Sequence, residues 1–238
     1  MILELDCGNS SIKWRLVTLA GAQARPVNVS GSFAELVVEL GRGIDSIKYC
    51  RISSVRSAEF NQELKRQVFD VIKSTPDFAS SSSSLANVSN GYESPSTLGV
   101  DRWLAVVAAY HTYQVNCLVI DCGTAVTADY VDAQGMHRGG VIAPGLRLLR
   151  NGLCEVGTLP KSAGISDAQV AQRTDVAIKS GIWAMYQGFV IQQVEHAKKL
   201  FANDFALILT GGDAQLLIPE FAFAHYHPDL VFVGLGLA

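Results

Sequence analysis

The sequence predicts an α/β protein made of two related halves, and three observations carry this prediction. The first is a repeat: LELDCGNSSIK and VIDCGTAVTADY share a strand-like run ending in Asp-Cys-Gly, 115 positions apart. The second is that strand-like and helical segments follow one another in mixed order, which indicates α/β layering. The third is the length of 238 residues, which suits one large or two small domains at about 150 residues per domain. We therefore expect two related subdomains that face each other across a cleft.

The first half begins with a predicted β-hairpin, MILELD and IKWRLVTL, joined by a short turn at residues 8–11. NVSGSF adds an extended piece, and IKYCRISSV is a further strand. SAEFNQELKRQVFDVIKS has helical spacing, with Ser57 as its N-cap. The polar stretch Thr75–Thr97, with its serine run Ser80–Ser84, is predicted to be a linker or surface loop. Its place just before GVDRW leaves a functional loop as the alternative.

The predicted elements continue with a buried helix, VDRWLAVVAAYHTY. The second half then has the strand NCLVIDCG, the strand TAVTADYVD and a return at GMHRGGVIAPG. PGLRLLRNGLCEV reads as a helix with Pro144 near its start, and a long helix is predicted from Asp175 to Phe201. FALILTGGDAQLL is predicted as strand, turn and helix, and LVFVGLGLA as a closing strand. The predicted domains are 1–115 and 116–238.

Composition excludes several classes of function. The net charge is −3 and no long basic run occurs, which argues against a nucleic-acid partner because phosphate binding needs clustered Lys and Arg. No apolar run reaches the roughly 18 residues of a membrane span, and MILELD has no features of a signal peptide. The five cysteines are odd in number and form no CxxC pair, so we expect reduced thiols in a cytoplasmic protein.

The repeated Asp-Cys-Gly turn has the chemistry of an anion site. Glycine permits a tight turn and a close approach of the backbone to a ligand, and successive N–H groups in such a turn form a concave anion site. The carboxylates of Asp6 and Asp121 cannot donate to phosphate, so we expect them to hold a cation such as Mg²⁺. A plain hairpin turn remains the alternative for a single copy. The expected phosphate donors are Asn9, Ser10, Lys13, Thr124 and Thr127.

Two further motifs have residues suited to catalysis or binding. In GVDRW, Asp101 could take a proton from a substrate hydroxyl, and Arg102 could clamp an anionic substrate. The alternative is an ordinary solvated helix start. In TGGD, Gly211 and Gly212 leave room for a flat ring against the backbone, and the alternative is a plain strand–helix turn.

Other motifs are absent or weak. The chain has neither a Walker A loop nor a Gly-x-Gly-x-x-Gly fingerprint before a helix. His225 and His227 resemble a metal pair, but no nearby Cys or carboxylate completes a set. Cys7 and Cys122 are interpreted as small packing residues, since side chains alternate along a strand and theirs point away from those of the aspartates.

Taken together, DCGNSSIKW, LGVDRW, DCGTAVTAD, GGVIAPG, RTDVAIKSGI and LTGGDA resemble the motifs of type III pantothenate kinases in order and rough spacing. These enzymes belong to the actin/hexokinase/Hsp70-like phosphotransferase superfamily. The resemblance spans essentially the whole chain. It implies two ribonuclease-H-like (actin-like ATPase) subdomains with mixed central sheets, an interdomain active-site cleft and a homodimer. The implied reaction is ATP-dependent phosphorylation of pantothenate to 4′-phosphopantothenate, the first step of coenzyme A biosynthesis.

The resemblance also implies roles for individual residues. Asp101 would be the catalytic base, Asp121 would hold a monovalent cation (K⁺ or NH₄⁺), and Asp6 would lie near Mg²⁺. The implied pantothenate contacts are Tyr92, Gly99, Val100, Arg102 and Thr174. The implied ATP contacts are Asp6, Gly8, Asn9, Ser10, Lys13, Gly123, Thr124, Thr127, Gly211 and Gly212. Two alternatives stay open: a catalytically inactive ATP-binding regulatory or accessory protein of the same fold, and a kinase for another small alcohol.

Overall fold

The computed structural model of the chain describes residues 1–19, 24, 26–155, 164–167 and 170–238. Its strands are β1 (Ile2–Cys7), β2 (Ile12–Val17), β3 (Asn28–Ser30), β4 (Tyr49–Ser54), β5 (Asp77–Phe78), β6 (Ser84–Leu85), β7 (Val88–Ser89), β8 (Cys117–Cys122), β9 (Ala125–Val131), β10 (His137–Pro144), β11 (Ala206–Thr210) and β12 (His225–Tyr226). Its α-helices are α1 (Phe33–Leu40), α2 (Ala58–Ile72), α3 (Val100–Tyr113), α4 (Leu146–Cys154), α5 (Thr174–Leu200) and α6 (Leu230–Leu235). Short 3₁₀ turns occupy Gly41–Ser46, Pro95–Thr97 and Ala214–Leu216.

The chain divides into two compact units. The first contains Met1–Thr112 together with Asp229–Ala238, and the second contains Tyr113–Pro228. The predicted division assigned all of 116–238 to one domain, whereas the last ten residues pack with the first unit. The buried carboxylate of Glu4 in β1 accounts for this packing, because it pairs with Arg15, and Arg15 also donates to Asp229 and to the Phe232 carbonyl in the last ten residues.

The first unit is built on a five-stranded mixed sheet in the order β3-β2-β1-β4-β5. The central strand β1 pairs antiparallel with β2 and parallel with β4, and all six of its residues are buried. Its apolar side chains join those of β4, α1 and α2 in one core, for example Leu3, Leu5, Leu36, Ile52, Leu64 and Val68. Because β1 is buried in this core, the turn at residues 8–11 that follows it lies at the edge of the core.

The second unit repeats this arrangement with other residues. Its sheet has the order β10-β9-β8-β11-β12. The central strand β8 pairs antiparallel with β9 and parallel with β11, as β1 does with β2 and β4. The long helix α5 covers a core that contains Leu118, Ile120, Trp183, Tyr186 and Leu207. The predicted α/β class, with two similar ribonuclease-H-like units and mixed sheets, is therefore confirmed.

Most predicted elements form close to the predicted places. The α2 helix begins after Ser57, whose hydroxyl accepts a hydrogen bond from the N–H of Phe60, as the N-cap prediction requires. The long helix runs from Thr174 to Leu200, within one residue at each end of the predicted helix from about Asp175 to Phe201. Val156, the last residue of the predicted helix PGLRLLRNGLCEV, lies outside the described residues. Among the described residues, no helix combines the length and apolar character that a membrane-spanning segment needs.

The prediction of a closing strand at the C-terminus was wrong. Leu230–Leu235 of this segment forms the helix α6. The prediction failed because a short apolar run does not by itself distinguish a buried strand from a buried helix. Arg15 anchors this helix: its guanidinium pairs with the buried carboxylate of Glu4 at 2.7 Å and donates to Asp229 at 3.2 Å and to the Phe232 carbonyl at 3.0 Å. The helix predicted after Gly211 and Gly212 is only the 3₁₀ turn Ala214–Leu216.

We predict that Gly234→Ala destabilises the protein. A Cβ atom at Gly234 would overlap the backbone of Leu104 in α3, so α6 would have to move away from its packing partner. We expect the free energy of unfolding to fall by about 2–4 kcal/mol in urea denaturation. Gly188→Ala is the matched control, since it lies inside α5 with open space around it and should gain up to about 1 kcal/mol. Equal stability of the two variants would contradict the packing argument.

Candidate active site

The first Asp-Cys-Gly turn follows the central strand of the first unit. The β1 strand ends at Cys7 and β2 begins at Ile12, so Gly8, Asn9 and Ser10 lie in the reversal between them. Asn9 and Ser10 are exposed. Asp6 is the cross-strand partner of Lys13, and cross-strand pairs lie on the same face of a sheet. The predicted turn residues and the predicted lysine are thus neighbours at one sheet end.

Asp6 is a buried carboxyl in a mixed electrostatic environment. Burial raises the pKa of Asp6 to about 6, with a further upward contribution from the Asp101 carboxylate, while Lys13 and the Ser53 hydroxyl act to lower it. The Ser53 hydroxyl donates to Asp6 Oδ1 at 3.2 Å. Asp101 is therefore close enough to Asp6 for the two carboxylates to interact. The first unit brings together the predicted cation ligand, the predicted base and a lysine.

The start of α3 sets the position of Asp101. Asp101 Oδ1 accepts a hydrogen bond from the Arg102 backbone N–H at 2.7 Å, and the positive end of a helix dipole favours a charged carboxylate there. A Cβ atom at Gly99 would lie 2.8 Å from the same oxygen. A residue larger than glycine would therefore force Asp101 to shift. Val100, the first residue of the helix, is buried.

Arg102 and Tyr92, two of the predicted substrate contacts, are hydrogen-bonded to each other. Arg102 is only 7% exposed, and its Nη1 donates to the Tyr92 hydroxyl at 2.8 Å. The guanidinium also lies over the Tyr92 ring at 5.7 Å from the centroid. Burial and the contact with Tyr92 restrict the conformations of this planar guanidinium.

The serine-rich stretch before α3 is an ordered part of this cluster. It forms β5 and the hairpin β6–β7, whose turn residues Ala86 and Asn87 have positive φ angles of 47° and 67°. The Asn90 side chain donates to the carbonyls of Ser82 at 3.1 Å and Pro95 at 3.3 Å, and it accepts from the Tyr92 N–H at 3.0 Å. Asn90 thereby fixes the backbone that carries Tyr92. Sequence analysis assigned it no role, although Asn-Gly was a visible turn signal.

The second Asp-Cys-Gly turn follows the central strand of the second unit. Asp121 is the cross-strand partner of Thr127 on β9 and of Thr210 on β11. The Gly123 N–H donates to the Ala125 carbonyl at 3.0 Å, which closes the reversal that contains Thr124. The predicted phosphate and cation residues of this half therefore lie together at the end of β8.

Gly145 and Gly211, which come from separate parts of the chain, pack closely against this second turn. Gly211 has a φ of +89°, and a Cβ atom there would overlap the Asp121 carboxylate and the Cys122 backbone. Gly145 donates its N–H to the Thr124 carbonyl at 3.1 Å, and a Cβ atom there would lie 2.5 Å from the Gly123 oxygen. The sequence analysis assigned no role to Gly145, although the Pro-Gly pair at the end of GGVIAPG is a turn signal. Close backbone approach explains why glycine occupies both positions.

The remaining predicted residues have plain structural settings. Thr174 is exposed at the first position of α5 in the second unit. Cys7 and Cys122 are fully buried, and burial raises the pKa of each thiol to about 12, which fits packing residues and not nucleophiles. His227 Nε2 lies 2.6 Å from the Tyr113 hydroxyl. Within the described ranges, no group of three or more His, Cys, Asp or Glu side chains could hold a metal ion.

Fold and sites together define a phosphotransferase-like protein, with an Asp-Cys-Gly turn at the end of each central strand. The family model for type III pantothenate kinase matches residues 2–196. A type III pantothenate kinase of Pseudomonas savastanoi pv. phaseolicola is 44% identical over 248 residues, which cover 100% of this chain and 98% of that one. This chain belongs to the type III pantothenate kinase family.

Solved structures agree on the fold. A Baf family protein from Campylobacter jejuni, described as a candidate transcriptional activator, has a TM-score of 0.63 at 21% identity, with 98% of this chain and 95% of that chain covered. A candidate N-acetylmannosamine kinase from Listeria monocytogenes has a TM-score of 0.52 at 13% identity, with coverages of 98% and 96%. At these identities the likeness concerns the fold alone.

We predict that Asp6→Asn stabilises the ligand-free protein at neutral and alkaline pH. The folded protein binds the Asp6 proton more tightly than the unfolded chain does, because its pKa is about 6 when folded and about 3.9 when unfolded. Stability from this group is thus present below pH 4 and is lost as pH rises through 6.

In urea denaturation at pH 8 without metal or nucleotide, Asp6→Asn should be about 2–3 kcal/mol more stable than the wild type. The difference should vanish near pH 3. Asp70→Asn, an exposed carboxylate on α2, serves as control and should change stability little at either pH. A gain that is the same at pH 3 and pH 8 would contradict the assigned cause.

We predict different effects for the two adjacent glycines of TGGD. Gly211→Ala forces a side chain into a positive-φ position and into the Asp121 carboxylate, so the free energy of unfolding should fall by about 2–4 kcal/mol. Gly212→Ala faces open space and should stay within about 0.5 kcal/mol of the wild type. Thermal and urea unfolding of both variants measure this, and equal losses would refute the close approach of Gly211.

Proposed function

We propose that this protein transfers the γ-phosphoryl group of ATP to the hydroxyl of pantothenate and forms 4′-phosphopantothenate, the first step of coenzyme A biosynthesis. The observation that carries the proposal is the family match over residues 2–196, together with 44% identity to a type III pantothenate kinase over the full chain. The cluster of Asp101, Arg102 and Tyr92 in the first unit supports it, because a base and an anion clamp are the groups such a reaction needs.

Asp101 is the proposed general base. In phosphoryl transfer the protein supplies mainly position and charge stabilisation, and a carboxylate beside the attacking hydroxyl accepts its proton. The hydrogen bond from the Arg102 N–H orients one oxygen of Asp101 at the start of α3. Gly99 leaves the space that this orientation needs. The carboxylate of the proposed base is therefore oriented by a backbone N–H group, which is less mobile than a side-chain donor.

Arg102 is the proposed clamp for the pantothenate carboxylate. A guanidinium can donate two parallel hydrogen bonds to a carboxylate, which fixes both distance and direction. Burial and the Tyr92 hydroxyl restrict its conformations before substrate binds. We propose Tyr92, Gly99, Val100 and Thr174 as the further pantothenate contacts.

The two Asp-Cys-Gly turns are the proposed phosphate contacts of ATP. In the first unit the backbone of Gly8, Asn9 and Ser10 would donate N–H groups, and Lys13 would add positive charge. In the second unit Gly123, Thr124 and Thr127 would play the equivalent part. Gly211 and Gly212 are proposed to lie against the adenine side, since glycine leaves the backbone open to a flat ring.

The carboxylates at these strand ends fit cations better than phosphates. Mg²⁺ typically takes one or two carboxylates, several waters and substrate phosphates, so Asp6 alone is a sufficient protein ligand. Its environment agrees: a buried carboxyl with a raised pKa gains from a nearby positive charge. Asp121 is the proposed ligand for K⁺ or NH₄⁺. Bound cations would neutralise phosphate charge, and the protein residues would hold and orient the reactants.

A homodimer in the cytoplasm completes the proposal. The second unit exposes large apolar side chains, among them Ile142 at 62%, Met185 at 63% and Ile191 at 43%. Such side chains are suited to an interface with a second copy of the chain. The five free cysteines fit a reducing compartment.

The decisive experiment is a coupled assay of ADP release with pantothenate, with and without potassium. Pantothenate-dependent ADP release that potassium stimulates supports the whole proposal. ADP release with another small alcohol but not with pantothenate would favour a different kinase of the same fold. Nucleotide binding without release of ADP with any acceptor would favour an inactive accessory protein.

We predict that Asp101→Asn nearly abolishes turnover. Removal of a general base typically costs about 10²–10⁴-fold in rate, or roughly 3–5 kcal/mol of barrier. The measurement is kcat in the ADP-release assay, with thermal unfolding to show that the variant is folded. Asp70→Asn removes an exposed carboxylate of α2 and should keep the wild-type kcat. A kcat for Asp101→Asn within ten-fold of the wild type would exclude the role of base.

A further inference from the structure

Arg56 contacts the first Asp-Cys-Gly turn from outside. It follows β4 and precedes the N-cap of α2, far from the turn in sequence. Its Nη1 donates to the Gly8 carbonyl at 3.1 Å and to the Asn9 carbonyl at 2.8 Å. One guanidinium nitrogen thus binds both carbonyls at the tip of the turn.

The local structure holds this guanidinium in place. Its carbon lies 4.4 Å from the centroid of the Phe60 ring, a cation–π contact with the first turn of α2. The backbone of Arg56 is fixed at both ends, since its N–H donates to Ser54 Oγ at 3.3 Å and its carbonyl accepts from Asn61 Nδ2 at 3.4 Å. Ser54 and Asn61 are themselves hydrogen-bonded at 2.6 Å. Arg56 is therefore preorganised by the β4–α2 connection.

The consequence for the turn follows from peptide geometry. In a trans peptide the C=O and the N–H of the same unit point in opposite directions, and the chain has no cis peptide bond among the described residues. The Gly8 carbonyl shares its peptide with the N–H of Asn9, and the Asn9 carbonyl shares its peptide with the N–H of Ser10. Because both carbonyls converge on Arg56, each N–H group points away from Arg56, and the two N–H groups diverge enough to reach different oxygens of one phosphate group.

We infer that Arg56 is a positioning residue for nucleotide binding: it aims the Asn9 and Ser10 N–H groups at a phosphate group. The inference rests on the proposed function, in which this turn contacts ATP. Arg56 would act through the turn and not by touching phosphate, because its bonded nitrogen lies on the carbonyl side. Asn9 and Ser10 are exposed residues at the tip of this turn.

The test compares Arg56→Gln and Arg56→Lys with the wild type and with Arg66→Gln. Arg66 is an exposed arginine on α2 that pairs with Glu63, so its loss controls for removal of one positive charge from the helix that follows Arg56. The measured quantities are the KM values for ATP and pantothenate, the Kd of a non-hydrolysable ATP analogue with Mg²⁺ by calorimetry, and the Tm.

For Arg56→Gln we expect the KM for ATP and the analogue Kd to rise about ten-fold, since misaligned donors to a charged phosphate lose most of a charge-assisted hydrogen bond. The KM for pantothenate should stay within about two-fold. Arg56→Lys should recover part of the loss, because an ammonium still binds a carbonyl but does not stack on Phe60 as a planar group. Arg66→Gln should match the wild type throughout.

Two outcomes would overturn the inference. One is an unchanged KM for ATP in both Arg56 variants. The other is an equal rise of both KM values together with a lower Tm, which indicates a general structural role. If wild-type protein releases no ADP with pantothenate, the proposed function fails, but analogue binding still decides: a ten-fold weaker Kd in Arg56→Gln supports the positioning role, and an equal Kd or no binding by wild type overturns it.

Discussion

Both units depend on the same physical constraint: a fully paired central strand has an aspartate one residue before its end, and the chain reverses immediately after the strand. In the first unit burial of this carboxyl is unfavourable, as the pKa of about 6 for Asp6 indicates, and Lys13 and Ser53 offset part of the penalty. In the second unit Asp121 has Gly211 directly against it. Each strand end thus brings a carboxylate and the backbone groups of a tight turn together.

Backbone groups fix much of the geometry around these strand ends. Asp101 is oriented by the N–H of Arg102, and the second turn by the N–H of Gly145. Asn90 bonds three backbone groups and so places Tyr92. Backbone-anchored side chains lose little conformational freedom when a ligand binds, which is the usual basis of preorganisation. The buried Arg15–Glu4 pair extends this principle to the fold, because it anchors α6 to the first sheet through a carbonyl and Asp229.

Sequence patterns predicted the elements where a periodic signal was long, as in α2, α3 and α5, and where the repeat aligned β1 with β8. They failed for LVFVGLGLA, where a short apolar run fits a strand or a helix equally well. For Thr75–Thr97 they left a linker or surface loop and a functional loop as alternatives, and they did not predict the β-hairpin and the Asn90 contacts that build the surroundings of Tyr92. Arg56 gave no signal, because its partners are two carbonyls 47 and 48 positions away, and every residue has a carbonyl.

The sequence by itself determined the chemistry at each strand end: a carboxylate, a glycine and small polar residues, repeated once, with Asp-Arg at the start of a buried helix. These are local features, since residue type and spacing set turn geometry and helix starts. Only the tertiary structure decided which distant groups meet them: Asp101 near Asp6, Gly211 against Asp121, Arg56 on the first turn and α6 in the first unit. Such contacts depend on the packing of a whole unit, and no local pattern records them.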